Sequence, residues 1–301
     1  MVPVAHPRGR ATRSSRDRGG GVVTSRQTPD PAVAVITIAS GRHEHLRRQL
    51  AGLEAGNILP GQHVVVAMND PDIRAITTDQ ASTTLLEVSS DSDGLELSAA
   101  RNVGAQAAID RGAKLLVFLD VDCIPGPELI GRYRQAAQSR CGDQLLLCGP
   151  VTYLRPDEPI GDLERRTRPH PARPNPPAGD VTVDDRWALF WSLSFAITAT
   201  GWEAVGGFHP GYRGYGGEDT DFAMSALDKG FRIAWVGGAH AYHQWHPASD
   251  PPVEHLDDIL RNALIFHRRW HRWPMEGWLN AFVGAGLITY DPATESWRRA
   301  T

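Results

Sequence analysis

The sequence has few cysteines, no long apolar run and no large excess of charge, and each absence excludes a class of protein. Its three cysteines, Cys123, Cys141 and Cys148, are odd in number and lack the spacing of metal ligands, which is typical of a reduced cytoplasmic protein. No stretch reaches the roughly 18 apolar residues that a membrane-spanning helix needs. The formal net charge of -4 at pH 7 gives no indication of a nucleic-acid partner.

The first 30 residues differ in composition from the rest of the chain. They carry six arginines against Asp17 and Asp30 and show no apolar periodicity, so we expect a disordered basic tail over residues 1–30. The tail lacks the apolar region of a secretory signal peptide. A basic arm of this kind could contact an anionic membrane surface or simply be solvated, and the sequence leaves both alternatives open.

The apolar pattern predicts an α/β fold. Residues 33–39 form a buried strand, 45–53 an amphipathic helix and 64–67 a second buried strand, which together make a βαβ unit. The later predicted strands are 83–88, 115–119, 145–153, 195–198 and 232–236, and the later helices are 95–110, 128–139, 202–208, a helix beginning near 218, 254–270 and 275–284.

We expect one domain over residues 31–250, followed by a helical extension over 251–301. A proline-rich segment over 155–185 interrupts the domain, with seven prolines between Pro156 and Pro177. A loop of this length in a compact domain is either functional or a plain excursion, so a lid and a passive loop both remain open.

The strand 115–119 ends in two carboxylates, Asp120 and Asp122, separated by Val121. In an open α/β sheet, ligands bind at the carboxyl ends of the strands. Carboxylates are hard oxygen ligands for Mn²⁺ or Mg²⁺, which commonly bridge to substrate phosphates. The pair therefore predicts a metal and phosphate site, although an acidic pair after a strand can also be a solvated turn.

A second acidic group, Glu218, Asp219 and Asp221, follows a run of glycines and occupies the first turn of a predicted helix. Acidic residues stabilise a helix N-terminus through capping and the helix dipole, which accounts for one or two of the three. Three carboxylates after flexible glycines also fit a working site, and the sequence leaves the two interpretations open.

Histidine and tryptophan are concentrated in the second half of the chain. His240, His243 and His246 follow a predicted strand at a spacing of three, which favours at least one metal ligand among them. All nine tryptophans lie at or beyond position 187; core packing explains most of them, and flat faces suit stacking on sugar rings. The candidates for contact with a sugar are Trp187, Trp191, Trp202 and Trp245.

The order of these motifs resembles the GT-A fold glycosyltransferases of family 2. The resemblance rests on Arg42 after the first strand, Asp70 after the second, Ala100-Arg101-Asn102-x-Gly104, the Asp-x-Asp pair, Gly216-Gly217-Glu218-Asp219-Thr220-Asp221 and the histidine cluster. The second half is also similar to the C-terminal region of the family 7 galactosyltransferases. Together the likeness covers roughly residues 32–250 and implies a Rossmann-like, mostly parallel sheet flanked by helices, with a C-terminal helical extension.

The resemblance also implies a role for each site residue. Thr37, Ala39, Arg42 and Asp70 would surround the nucleotide, Arg101 would lie beside its ribose and phosphates, and Asp120 would face the ribose or the metal. Asp122 and His243 would bind Mn²⁺ (or Mg²⁺). Asp219 would be the general base, and Glu218 and Asp221, together with Trp191, would hold the acceptor. On residue chemistry alone, Arg101 could equally be an arginine that extends along a helix edge.

The implied activity is that of a cytoplasmic, metal-dependent, inverting glycosyltransferase. It would move a sugar, such as a hexose, from a nucleotide-sugar donor, by resemblance a UDP-sugar, to a glycan, lipid-linked or small-molecule acceptor. One alternative is a nucleotidyltransferase that forms sugar nucleotides. Such an enzyme needs a glycine-rich phosphate loop with a lysine after the first strand, where this chain has Ser40-Gly41-Arg42. The other alternative is a catalytically silent sugar-binding protein.

Overall fold

The computed structural model describes residues 28–78, 80–89 and 94–300. The predicted basic tail lies outside the described residues as far as position 27. Among the residues that the structure describes, none of the helices combines the length and the apolar composition needed to span a bilayer.

The first part of the chain alternates strands and helices, because runs of Val, Ile and Leu form strands that are buried on both faces. In chain order its elements are β1 (Asp30–Ala39), α1 (His43–Glu54), β2 (Pro60–Met68), α2 (Ile73–Thr77), β3 (Thr83–Val88), α3 (Leu97–Asp110), β4 (Leu115–Leu119), β5 (Cys123–Pro125), α4 (Leu129–Ser139), β6 (Leu145–Cys148) and β7 (Val151–Tyr153).

The second part supplies the remaining strands of the sheet and the C-terminal helices. Its elements are β8 (Val181–Asp184), β9 (Ser194–Thr198), α5 (Ala199–Val205), α6 (Glu218–Asp228), β10 (Arg232–Val236), β11 (Ala241–His243), α7 (Leu256–Trp270), α8 (Glu276–Gly284), β12 (Ile288–Asp291) and β13 (Ser296–Arg299). Short 3₁₀ helices lie at Leu163–Arg166, Trp187–Leu189 and Val253–His255.

The predicted α/β fold is confirmed, with eight strands in one sheet in the order β3-β2-β1-β4-β9-β6-β10-β8. Strands β1, β2, β3, β4, β6 and β10 run in one direction, whereas β9 and the edge strand β8 run in the other. The carboxyl ends of the parallel strands therefore meet at one edge of the sheet, where α/β proteins bind ligands.

Side chains that alternate along each strand fill two cores, one on each face of the sheet. In β1, Ala34, Ile36 and Ile38 belong to one core, whereas Val33 and Val35 belong to the other. Helix α3 lies close to the first face at Gly104, where an added Cβ atom would be 2.7 Å from the Ile36 Cγ2 atom. This close approach fixes the position of α3, the helix that carries Arg101.

The predicted single strand over residues 145–153 is wrong. Strand β6 ends at Cys148 in the large sheet, and β7 belongs to a separate three-stranded sheet in the order β5-β11-β7. The strand ends before Gly149, where an added Cβ atom would lie only 1.8 Å from the Ala239 carbonyl oxygen. A neighbouring backbone that comes so close requires glycine and changes the direction of the strand.

The proline-rich segment is more structured than predicted. It includes a 3₁₀ turn and ends in β8, which pairs antiparallel with β10. Before β8 it packs on the small sheet, since His170 N donates to Val151 O at 2.8 Å and Arg168 N donates to Thr152 Oγ1 at 2.8 Å.

The C-terminal extension contains the two predicted helices, α7 and α8, and then a hairpin of β12 and β13 that was not predicted. A separate apolar cluster that includes Leu256, Ile259, Leu279, Phe282 and Ile288 holds these elements together.

Candidate active site

The polar residues singled out in the sequence meet at the carboxyl edge of the sheet. Asp120 and Asp122 follow β4, and Arg42 follows β1. His243 ends β11, which pairs with β5 so that His243 lies opposite Cys123, the residue after Asp122. Glu218 and Asp219 begin α6 as predicted.

Asp122 is surrounded by basic side chains. Its Oδ2 atom is 3.5 Å from an Arg42 guanidinium nitrogen and 3.6 Å from His246 Nε2, and its Oδ1 atom is 3.5 Å from His243 Nε2. One ligand atom each from Asp122, His243 and His246 lie within 4.8 Å of one another, close enough to bind a single ion.

The structure separates the three histidines of the cluster. His243 and His246 face Asp122, whereas His240 is buried and its Nε2 atom is 2.8 Å from Thr152 Oγ1. Burial lowers the pKa of His240 to about 4, so this imidazole is neutral near pH 7. The sequence could not distinguish the three, because their spacing alone does not say which way each ring points.

Hydrogen bonds from Gln244 to the turn after β4 and to α1 fix the segment that carries the two histidines. Gln244 N donates to Asp122 O at 2.7 Å, and the Gln244 side chain donates to His45 O at 3.1 Å. The first turn of α1 and the turn after β4 therefore hold the His243–His246 segment from both sides.

Arg42 is held in an unusual backbone conformation. Its φ angle is 51°, in the left-handed region that residues other than glycine rarely adopt. Asp70 stabilises the loop before it, because Asp70 Oδ2 accepts hydrogen bonds from Gly41 N at 2.6 Å and from His43 Nε2 at 2.9 Å. Asp70 thus supports the loop that directs Arg42 toward Asp122.

Arg101 joins the two acidic groups of the site. Its guanidinium is 3.0 Å from Asp120 Oδ1 and 3.6 Å from Glu218 Oε1, and it lies 5.2 Å from the centre of the Phe208 ring. The residue is almost fully buried. Asp120 is therefore paired with Arg101 and is not one of the residues grouped around Asp122.

Glu218 and Asp219 differ in environment although they are adjacent. Burial, and then the charge of Asp219, raise the pKa of Glu218 to about 7, against the opposing effect of Arg101. Burial also raises the pKa of Asp219, but hydrogen bonds from Thr220 N and Thr220 Oγ1 oppose the shift by stabilising the charged form. Asp219 is partly exposed, whereas Glu218 is buried.

The Asp221 side chain belongs to a buried hydrogen-bond network. Its side chain is fully buried, and Oδ1 accepts hydrogen bonds from Tyr212 Oη (3.2 Å), Arg269 Nε (2.7 Å) and Trp270 Nε1 (2.7 Å). The carboxylate thus ties α6 to α7 in this structure, and the expected contact of Asp221 with an acceptor stays a prediction.

Thr37 and Ala39 are also buried, since β1 is covered on both faces, and in this structure neither is exposed to a nucleotide. Thr37 instead donates to Gln49 Oε1 at 2.9 Å, and Gln49 Nε2 donates to Asp120 O at 2.7 Å and to Cys123 O at 3.1 Å. Thr37 therefore supports the turn that carries Asp122. The signal for Gln49 was a polar residue within the apolar stripe of α1.

The tryptophan candidates have different surroundings. Trp202 is in the core, and Trp187 lies under the Arg272 guanidinium, 5.8 Å from its carbon. Trp191 is half-buried and packs against His170 and Arg173 of the proline-rich segment. Only Trp245, next to His246, has a largely open face among these four, with 48% of its surface exposed.

Two aromatic residues near the site were not among the predicted site residues. The Tyr153 ring lies 4.6 Å from the His243 ring, and Tyr215 lies directly before the two glycines that precede α6. The position of Tyr215 before Gly-Gly-Glu-Asp was a usable signal, whereas nothing in the sequence brings Tyr153 to His243.

Part of the chain matches a known family. Residues 179–247 match the family described as the N-terminal domain of galactosyltransferase. This stretch lies within the half of the chain in which the resemblance to galactosyltransferases was expected. No curated protein matches the chain significantly in sequence.

Solved structures show the same fold at low sequence identity. TarS 1-349 of S. aureus in complex with UDP-GlcNAc has a TM-score of 0.54 and 12% identity, covering 81% of this chain and 74% of that chain. A second structure of TarS 1-349 has a TM-score of 0.53 and 14% identity, covering 83% of this chain and 74% of that chain. GalNAc-T7 with UDP, GalNAc and Mn²⁺ has a TM-score of 0.50 and 13% identity, covering 71% of this chain and 44% of that chain.

These likenesses define the class of fold. The chain has the GT-A glycosyltransferase fold, with a large central sheet flanked by helices. It spans less than half of the GalNAc-T7 chain. Membership of family 2 stays a prediction.

Proposed function

We propose that this chain is a glycosyltransferase that moves a sugar from a nucleoside-diphosphate sugar, with UDP as the favoured nucleotide, to an acceptor hydroxyl. The observation that carries the proposal is the pairing of Arg101 with both Asp120 and Glu218. One buried guanidinium connects the strand end that would bind the donor with the helix start that would bind the acceptor.

A divalent cation fits the first half of this site. Asp122, His243 and His246 offer one carboxylate and two imidazoles with ligand atoms within 4.8 Å of one another. That donor set suits divalent first-row metals such as Mn²⁺ better than Mg²⁺, which prefers oxygen ligands. When bound, the ion would supply positive charge that stabilises the leaving diphosphate.

Basic residues of the chain would bind the diphosphate itself. Arg42 reaches Asp122 from the loop after β1, and Arg48 lies one helical turn beyond His45 on α1. Arg48 is also within 3.5 Å of Gln244 Oε1, which places it beside the histidine segment. TarS 1-349 was solved in complex with UDP-GlcNAc and GalNAc-T7 with UDP, which supports a uridine nucleotide here as well.

Asp219 is the proposed general base. Burial raises the pKa of both adjacent carboxylates, and hydrogen bonds from Thr220 N and Thr220 Oγ1 stabilise the charged form of Asp219 that a base needs. Asp219 would take the proton of the acceptor hydroxyl as that oxygen bonds to the anomeric carbon and the bond from carbon to the diphosphate oxygen breaks. Such a single displacement inverts the configuration, and Glu218 would hold Arg101 in place.

The test is turnover of a panel of donors, UDP-Gal, UDP-GalNAc, UDP-GlcNAc and UDP-Glc, measured by UDP release with MnCl₂ present. At least one donor should be consumed, and Asp219→Asn should lower that rate about 10²–10⁴-fold, the usual effect of losing a general base. UDP affinity should hardly change, because Asp219 lies on the acceptor side.

Asp228→Asn is the matched control, since Asp228 is exposed at the other end of the same helix. Its rate should equal that of the wild type. Near-normal turnover of Asp219→Asn would remove Asp219 from the mechanism, and absence of turnover with every donor would contradict the proposed function.

A further inference from the structure

The C-terminal extension, residues 251–300, contacts the loop that leads into α6 through hydrogen bonds and stacked rings. We propose that this extension positions Tyr215, and through Tyr215 a polyhydroxylated acceptor such as a sugar. The inference rests on the proposed function, but it assigns a role to a part of the chain that lies outside the matched stretch 179–247. We call residues 213–217 the glycine loop.

Backbone groups of the glycine loop are bound by two side chains of α7. Asn262, which is fully buried, accepts a hydrogen bond from Arg213 N at 3.3 Å and donates to Arg213 O at 2.9 Å and Tyr215 O at 3.3 Å. Asp258 Oδ2 accepts from Tyr215 N at 3.3 Å. The loop is thus bonded to α7 on both sides of Gly214.

The contact between the loop and α7 leaves no free space. Gly214 has a φ of 65°, and a Cβ atom there would lie 1.9 Å from Asp258 Oδ2. Any side chain at this position would push the loop away from α7. The sequence therefore allows a close approach that only glycine permits.

The Tyr215 ring is held by two more rings of the extension. It stacks with His255 at 4.7 Å between ring centres and an angle of 24°, and with Trp278 at 5.7 Å and 28°. Stacked pairs of this kind stabilise the contact beyond the burial of their surface. Even so, 39% of the Tyr215 surface stays exposed.

The carboxylates of the site affect the pKa of the Tyr215 hydroxyl. Burial raises the pKa of Tyr215 to about 12, and the charges of Asp219, Glu218, Asp120 and Asp122 add to the shift. The hydroxyl therefore stays protonated near pH 7 and can donate a hydrogen bond, in addition to the acceptor oxygens that the carboxylates of the site offer. A substrate that both donates and accepts hydrogen bonds, as a sugar does, matches this combination.

The extension also fixes the start of α6. Arg269 Nε and Trp270 Nε1 each donate to Asp221 Oδ1 at 2.7 Å. Helix α7 therefore holds the glycine loop at Arg213 and Tyr215 and holds α6 at Asp221, on either side of Glu218 and Asp219.

The test compares Trp278→Ala with Trp278→Phe, which keeps a flat ring. The control is Trp297→Ala, since Trp297 packs on the same apolar cluster but contacts the rings of Trp273 and Tyr290, not that of Tyr215. The first readout needs no activity: limited trypsin digestion followed by mass spectrometry, which reports cleavage after Arg213. Cleavage at the exposed Arg165 normalises the rates.

We expect cleavage after Arg213 to become severalfold faster in Trp278→Ala and to stay near the wild-type rate in Trp278→Phe and Trp297→Ala. The second readout is kinetic, with the donor that the wild type consumes and free N-acetylglucosamine as the acceptor probe. Trp278→Ala should raise the acceptor KM about tenfold, while hydrolysis of the donor by water and UDP affinity stay unchanged.

Equal cleavage after Arg213 in Trp278→Ala and the wild type would overturn the inference, as would an acceptor KM that rises equally in Trp297→Ala. If the wild type consumes no donor, the proposed function fails and the proteolysis result alone decides whether the extension positions the loop.

Discussion

Asp122 has three basic side chains within 3.6 Å of its oxygens, those of Arg42, His243 and His246. The two imidazoles can become metal ligands, whereas a guanidinium cannot. Arg42 therefore occupies part of the space beside Asp122 in which a cation would bind, and it is free to pair with a phosphate once that cation is present.

Arg42→Ala should accordingly separate two affinities. In the presence of Mn²⁺, UDP should bind about tenfold more weakly, because a charged hydrogen bond contributes about 1.5–3 kcal/mol. Mn²⁺ alone should bind as tightly as to the wild type or more tightly, since a competing cation is removed. Calorimetric titration of each ligand measures both.

Arg47→Ala is the matched control for Arg42, because Arg47 is exposed on α1 and pairs with Glu44. It should leave both affinities unchanged. If Arg42→Ala weakens the binding of Mn²⁺ as much as that of UDP, Arg42 supports the metal site and does not compete with the cation.

Glu218 makes the stability of the fold depend on pH. Its pKa is raised by burial from 4.5 to about 7, so between these pH values the folded protein binds a proton that the unfolded chain releases. The free energy of unfolding should therefore fall as pH rises through this window. Glu218→Gln removes the group, and histidines that titrate in the same range cancel in the comparison.

The measurement is the melting temperature of the wild type and of Glu218→Gln between pH 5 and pH 8 in EDTA. The wild type should lose stability relative to the variant as the pH rises. A constant difference across this range would mean that Glu218 is ionised throughout.

At the residue scale, the positions of the candidate residues relative to β4 and α6 were predictable, and the exposure of their side chains was not. Asp122 follows the end of β4, and Asp219 follows glycines at the start of α6, so local sequence places both near the sheet edge. Thr37 and Asp221 are polar residues in the right stretches, but packing by α1 and α7 buries them. Burial of that kind depends on residues distant in the sequence.

At the scale of elements, the proline-rich segment is anchored by a buried arginine. Arg173 is 3% exposed, and its guanidinium carbon lies 5.2 Å from the Trp191 ring centre and 5.0 Å from that of Trp235. Within the described part of the chain, none of its three side-chain nitrogens has a hydrogen-bond partner. Its shape contributes to packing, and the two aromatic rings lie beside its buried charge.

Arg173→Met should therefore keep the melting temperature or raise it, because an apolar chain of similar length replaces a buried charge that has no carboxylate partner among the ion pairs of the described residues. Arg173→Ala should lower it by roughly 5–10 °C, since a cavity of this size costs about 2–4 kcal/mol. Thermal unfolding of both variants gives the answer. A larger drop in melting temperature for Arg173→Met than for Arg173→Ala would show that the guanidinium has a stabilising partner.

The elements that sequence reasoning missed are those with few apolar residues of their own. Strands β5, β7 and β11 have three residues each and form a sheet only because the turn after β4 and the Gly149 break bring them together. The hairpin of β12 and β13 is likewise short, and it is held by packing on α7 and α8.

At the scale of the whole molecule, the long buried strands made the class of fold predictable. Strands β1, β2 and β4 are continuous apolar runs, and their regular alternation with helices indicates a parallel sheet with the site at its carboxyl edge. The antiparallel insertion of β9 beside β4 does not follow from local sequence. It does determine the site, because Leu193 O accepts from Asp120 N at 2.9 Å.

The central claim is that Asp122, His243 and His246 hold a divalent cation that binds a nucleoside diphosphate, and calorimetric titration of UDP with Mn²⁺ and with EDTA tests it most directly. The wild type should bind UDP at least tenfold more tightly with Mn²⁺, and Asp122→Asn and His246→Ala should lose that gain. His240→Ala should keep it, because His240 is bonded to Thr152 and faces away. Equal UDP affinity with Mn²⁺ and with EDTA, or an undiminished gain in Asp122→Asn, would contradict the claim.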